Sequence, residues 1–231
     1  MRLRARILAL IAVTALAGGV TACSPAAAGQ GPRPASAQAT AAATPTREPA
    51  TPSSPRPPTG PVIKVTGAPG GVKAKGATLA DAATGQVLWG RGVDTERPMA
   101  SITKVMTALL VLESGDLGRE IRVPKAAFVY AWKYRGETAA LRPGDVLTAQ
   151  ELLAALLLPS GADAAYTLAN AYGPGLTAFV ARMNATAARM GMSHTHFTSP
   201  DGLPYPTETS TYSTPSDLLT LGLAAMKYPA F

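Results

Sequence analysis

The chain has 231 residues, a length for one or two domains, and 47% of them are hydrophobic, enough for a real core. Its formal net charge is +7, but Arg2, Arg4 and Arg6 stand at the very start, and no clustered basic stripe or basic–aromatic interleaving follows. A nucleic-acid partner is therefore excluded from the expectations.

The first residues, "MRLRARILALIAVTALAGGVTAC", run from a basic start through an apolar stretch, Ile7 to Val20, into small residues. This reads as a secretory signal over 1–22, too short and wrongly flanked for a spanning helix. Val20-Thr21-Ala22-Cys23 resembles the bacterial lipobox, in which the cysteine becomes the lipidated first residue. An ordinary cleavage site with a chance cysteine is the alternative. Cys23 is the single cysteine of the chain, so it has no intramolecular disulfide partner. The expectation is a lipid anchor on the outer face of the cell membrane, facing the cell wall.

Residues 24–61 contain no Val, Ile, Leu, Met or aromatic residue. Such a stretch buries too little apolar surface to fold, so 23–61 is expected to be a disordered Pro/Ala/Thr-rich tether. It would span between roughly 35 Å as a coil and about 120 Å as polyproline. The folded domain is placed at 62–231.

In that domain, "VKAKGATLADAATGQVLWGRG" (72–92) predicts two short strands around a turn at Ala83–Gly85. A helix is predicted from Ser101, as its N-cap, to Ser114, with Gly115 as the stop. Val105, Met106, Ala108, Leu109, Leu110, Val111 and Leu112 leave it no polar face, the mark of a buried helix. Thr148 and Glu151 form a capping-box pattern for the next helix, which Pro159 breaks. Another starts at Ser160 and runs to about Tyr172, so Ser160 lies at the tip between two helices. An amphipathic helix fills 176–192, stopped by Gly191. The last spans 214–229, with Thr214 as cap and Pro215 at the first helical position. Strands followed mostly by helices give an α+β class.

Ser101 and Lys104 are three positions apart, on one helix face with Cβ atoms about 5–6 Å apart. A hydroxyl is a poor nucleophile until a base takes its proton. The positive end of the helix dipole and burial among apolar residues both disfavour a charged ammonium, so Lys104 is suited to be that base. The bland alternative is a capping serine followed by a lysine snorkelling to water. The pair is weak evidence alone. Ser160-Gly161-Ala162 supplies a second serine at a helix tip, itself also readable as an N-cap, with Asp163 as the capping acid.

Together, "MASITKVMTALLVLE", "TAQELLAALLLPSGADAAYTLA", "FVARMNATAARMGMSHTHFTSPDGLP" and "TYSTPSDLLTLGLAAM" closely resemble the serine-type D-alanyl-D-alanine carboxypeptidases, low-molecular-mass penicillin-binding proteins of peptidase family S11. The resemblance covers roughly 77–229. It implies a β-lactamase/transpeptidase-like fold, an antiparallel sheet flanked by helices plus a helical subdomain. It implies Ser101 as the acylated nucleophile, Lys104 as its base, and Ser160 as the residue passing a proton to the leaving D-alanine. Gly161 and Ala162 fall in the substrate-binding motif. The substrate would be peptidoglycan stem peptides ending in D-Ala-D-Ala, with β-lactams as inhibitors and no cofactor or metal.

Two departures stand out. Ala162 occupies the place of an asparagine usual in the family, which implies altered or slow turnover. No Lys-Thr-Gly occurs, and "IKVTG" (63–67) has the wrong spacing and precedes the nucleophile. The resemblance then implies a C-terminally incomplete member lacking its last sheet strands. Two strands cannot cover the apolar 101–114 helix, so 62–231 is expected to be poorly folded and to release no D-alanine. His194 and His196 lack a completing ligand set and read as structural. Asn184-Ala185-Thr186 fits a glycosylation sequon but lies mid-helix. Rival readings are a β-lactamase-like hydrolase and a degenerate envelope lipoprotein that binds peptidoglycan.

Overall fold

The computed structural model describes residues 70–231. The signal (1–22), Cys23 and the tether (23–61) lie outside the described residues. Among the described residues, no helix is long and apolar enough to cross a membrane.

The fold is organised around α1 (Thr103–Leu112). Every residue of α1 except Val105 is buried, and Met106, Ala108, Leu110 and Val111 have no exposed surface. The all-round apolar pattern thus yields a central helix. Its cover differs from the expectation. Four helices pack on it: α3 (Ala149–Leu157), α4 (Ala162–Tyr172), α5 (Leu176–Arg189) and α6 (Pro215–Ala225). Phe179, Met183 and Leu221 cover one side, and Leu152, Leu156 and Leu168 the other. Each such side chain contributes about 1.5–3 kcal/mol when buried. The prediction that α1 lies bare without more sheet is therefore corrected, because helices, not strands, enclose it.

Strands are short and pair in twos. β1 (Ala77–Ala80) and β2 (Val87–Arg91) form the predicted antiparallel hairpin. Its turn is held by Asp81 Oδ1, which accepts from the Ala83 and Thr84 N–H groups and the Thr84 hydroxyl. β3 (Arg97–Pro98) pairs with β6 (Tyr212–Ser213). β4 (Glu120–Arg122) pairs with β5 (Val146–Thr148), and α2 (Lys125–Lys133) lies between them in sequence. The β4–α2–β5 segment carries no element in the sequence reading. The α+β class stands.

The capping box at α3 forms as expected, with Thr148 Oγ1 accepting from Glu151 N and Glu151 Oε2 from Thr148 N. Thr214 caps α6 by accepting from Asp217 N. α6 ends at Ala225, short of the expected 229, and a turn follows in which Tyr228 N donates to Ala225 O. Gly191, with φ +75, terminates α5 as predicted.

Candidate active site

Ser101 sits in a single 3-10 turn, Ala100–Ile102, that leads into α1. The expectation that it caps α1 fails. The backbone is already helical at Ile102 (φ −59, ψ −25), so no capping geometry exists there, and no side-chain cap is formed. The Ser101 hydroxyl instead accepts a hydrogen bond from Lys104 Nζ at 3.0 Å. Ser101 is exposed, whereas Lys104 is only 4% exposed. Burial pushes the Lys104 ammonium below the ordinary lysine range, against the opposing pull of Asp201 and Glu137. A lysine so placed can hold a free amine next to an accessible hydroxyl, the arrangement of a general base and its nucleophile.

A second contact fixes the amine. Lys104 Nζ also donates to the Asp201 carbonyl at 3.0 Å, and one turn on, the Thr107 hydroxyl donates to the Pro200 carbonyl at 2.6 Å. The turn 199–202 is thereby clamped onto α1 beside Ser101. Gly202 makes the close approach possible. Its φ is +81, and a Cβ there would overlap the Ala100 carbonyl. Ala100 itself has φ +46, so the turn presenting Ser101 is held in a conformation unfavourable for alanine.

The Asp201 side chain is 1% exposed. Its Oδ1 accepts from Leu203 N, and Oδ2 has no hydrogen-bond partner among the described residues. The Tyr130 phenol of α2 faces this carboxylate and Ser199, and burial together with the Asp201 charge pushes its pKa well above the usual tyrosine value. Tyr130 thus stays in its neutral form beside Asp201. Sequence reasoning missed Asp201 and Tyr130. The Pro200-Asp201-Gly202 turn signal was available, but its docking on a helix some hundred residues earlier was not.

Ser160 lies between α3 and α4, as predicted, but it neither starts nor caps α4. Gly161 is the N-cap residue, and Ser160 takes a left-handed φ of +62. The Lys104 hydrogen bonds go to Ser101 and Asp201, so no hydrogen bond joins Ser160 to the pair among the described residues. Gly161 and Ala162 are buried, and their N–H groups donate to Ala155 O and Glu137 O. The Ala162 methyl faces Gly136, where a Cβ would come within 2.7 Å of it. Asp163 does not cap α4 alone. Its carboxylate accepts from the Thr138 hydroxyl and the Ala139, Leu141 and Ala164 N–H groups, tying loop 138–141 to the serine turn.

His194 Nδ1 lies 3.1 Å from Glu96 Oε1, and the His196 ring rests on Tyr212. No group of three or more metal-ligating residues occurs among the described residues. Asn184 clasps Phe197, with Nδ2 donating to its carbonyl and Oδ1 accepting from its N–H, both at 2.9 Å.

The profile of the D-alanyl-D-alanine carboxypeptidase family, Peptidase S11, matches residues 63–231. A D-alanyl-D-alanine carboxypeptidase of Streptomyces sp. (strain K15) is 38% identical over 168 residues, covering 69% of this chain and 57% of the relative. The Mycobacterium tuberculosis D-alanyl-D-alanine carboxypeptidase DacB2 is 41% identical over 153 residues, covering 66% and 50%. The crystal structure of the Streptomyces K15 DD-transpeptidase superposes with a TM-score of 0.62 at 37% identity, covering 68% of this chain and 61% of that one. The chain therefore spans between half and three-fifths of the length of these proteins.

Proposed function

The chain belongs to the D-alanyl-D-alanine carboxypeptidase family S11, and from that premise we propose that it serves acyl transfer at D-Ala-D-Ala termini of peptidoglycan stem peptides through an acyl-enzyme on Ser101. The observation carrying this reading is the 3.0 Å contact between the buried Lys104 amine and the exposed Ser101 hydroxyl. Lys104 takes the Ser101 proton as Oγ attacks the carbonyl carbon of the penultimate D-alanine. The C–N bond breaks, and Ser160 passes a proton to the departing D-alanine amine. Water then cleaves the Ser101 ester to a carboxylate, or a second stem-peptide amine takes the acyl group. The Ser101 N–H would be one donor to the oxyanion. The whole protein would work outside the membrane, held by a lipid on Cys23.

Labelled penicillin tests this. A covalent adduct on Ser101, absent in Ser101→Ala, is expected, and labelling that survives the substitution would remove Ser101 from its role. Ala162 favours a slow variant of the same reaction. Its methyl is buried against Gly136 and offers no amide to a donor peptide. A long-lived penicillin adduct is the corresponding expectation, whereas rapid penicillin hydrolysis would instead mark a β-lactamase.

A further inference from the structure

The helix α2 has two unlike faces. Tyr130 and Tyr134 meet edge to face with ring centroids 5.0 Å apart, and they meet Tyr166 and Tyr205 at 5.2 and 5.3 Å respectively. The other face carries Phe128 and Trp132, four residues apart and thus side by side. They are 55% and 78% exposed. A pair of large aromatics left in water beside each other is not a packing residue of the core.

Between that face and the loop after α2 lies a concave pocket of about 570 Å³, lined by Phe128, Trp132, Lys133, Arg135, Gly136 and Thr138 together with Ala131. This size suits a small-molecule site. The two charged side chains in its wall are both cationic. Arg135 holds a left-handed φ of +52 at the end of α2, where Gly136 N donates back to Ala131 O. That is the position where glycine is favoured, so an arginine there is held in a strained backbone conformation. The pocket also adjoins the serine turn. Gly136 abuts Ala162, Glu137 O accepts from Ala162 N at 2.7 Å, and Thr138 is held by Asp163.

We propose that this pocket is a subsite for the saccharide end of the peptidoglycan donor, with a pyranose ring stacked on Trp132 and a carboxylate of the attached peptide paired with Arg135. The inference rests on the acyl-transfer reading of Ser101. An aromatic face supplies the flat apolar surface that a sugar ring covers, and a guanidinium fits a carboxylate bidentately. A donor that carries both groups and reaches the serine turn matches the concave, cationic and contiguous character of the site. A lipid surface, which also favours aromatic and basic residues, would call for a convex face instead.

The test is calorimetric binding to the full chain of a disaccharide-pentapeptide ending in D-Ala-D-Ala and of the same pentapeptide without sugar. The sugar-bearing probe is expected to bind at least tenfold more tightly. Trp132→Ala should erase that difference. Arg135→Gly should also weaken the sugar-bearing probe at least tenfold, while thermal stability stays equal or rises, because glycine suits that backbone. Equal affinity for the two probes, no binding of either, a Trp132→Ala variant that leaves the difference intact, or an Arg135→Gly variant that binds the sugar-bearing probe as tightly as the parent would overturn the proposal. So would loss, in Trp132→Ala, of binding to phosphatidylglycerol vesicles without any change in sugar preference. Penicillin labelling on the same samples separates the two readings. Labelling of Ser101 without sugar preference defeats the subsite alone, and sugar preference without labelling defeats the acyl-transfer reading and leaves the subsite.

Discussion

The main-chain oxygen of Asp201 accepts a hydrogen bond from the Lys104 amine at 3.0 Å, while the buried Asp201 carboxylate favours the charged form of the same amine. The backbone of Asp201 thus holds the Lys104 amine while its carboxylate acts on that amine's charge. Burial lowers the Lys104 pKa, and the Asp201 and Glu137 charges raise it in opposition. Asp201→Asn keeps the carbonyl and removes one opposing charge. The Lys104 pKa should then fall further, and the free amine should persist to lower pH. The acid limb of the penicillin acylation rate is expected to move to lower pH. A limb that stays or moves up would show that Asp201 does not set the protonation of Lys104.

The Asp163 carboxylate is a separate weak point. It is 2% exposed and is the acceptor for the hydroxyl of Thr138 and for the main-chain N–H groups of Ala139 and Leu141. Asp163→Ala leaves these donors without their acceptor. A loss on the order of 3 kcal/mol is expected in chemical denaturation, since bonds to a charged acceptor contribute about 1.5–3 kcal/mol each and water recovers some of that. Loop 138–141 should gain amide hydrogen exchange first. A loss under about 0.5 kcal/mol would mean that water replaces the carboxylate freely.

What the sequence discloses follows from distance along the chain. Ser101 and Lys104 lie within one helical turn, so their pairing could be read from spacing. Ser160 could be placed at a tip because Pro159 ends α3 locally. The capping role given to Ser101 fails because the chain enters α1 through a 3-10 turn that is already helical at Ile102, with Ala100 lying against Gly202 of a remote segment. Asp201 and Tyr130 went unseen for the same reason. The enclosure of α1 was misjudged because an apolar helix states that it is covered but not by what. The amphipathic pattern of 176–192 discloses one apolar face, and only the packing reveals that α3, α4, α5 and α6 all meet on α1.

Cys23 supports a prediction independent of the described residues. If the Val20–Cys23 sequence is a lipobox, the mature protein partitions into the membrane fraction, and Cys23→Ala releases it. Mass spectrometry of the membrane-bound form should find a diacylglyceryl mass on Cys23. An unmodified Cys23 in protein recovered from the medium would remove the anchor.

Two glycines separate the cost of the Ser101 turn from ordinary helix propensity. Gly222 lies within α6 with nothing near the space a Cβ would fill. Gly222→Ala should therefore stabilise the protein by up to about 1 kcal/mol, the propensity difference between the two residues. Gly202 is the opposite case. Its φ of +81 disfavours alanine, and the added methyl would overlap the Ala100 carbonyl and approach Thr103 Oγ1. Gly202→Ala must push the 3-10 turn away from segment 199–202, at a cost of about 1–3 kcal/mol for overpacking. The same displacement moves Ser101 relative to Lys104, whose amine stays tied to Asp201 O. A shift of about 1 Å at reacting groups can cost on the order of a hundredfold in rate. Penicillin acylation of Gly202→Ala is therefore expected to fall about a hundredfold, with Gly222→Ala unchanged, when both are measured well below their melting temperatures. If Gly202→Ala acylates at the rate of the parent, the fit of Gly202 against Ala100 does not hold Ser101 in place.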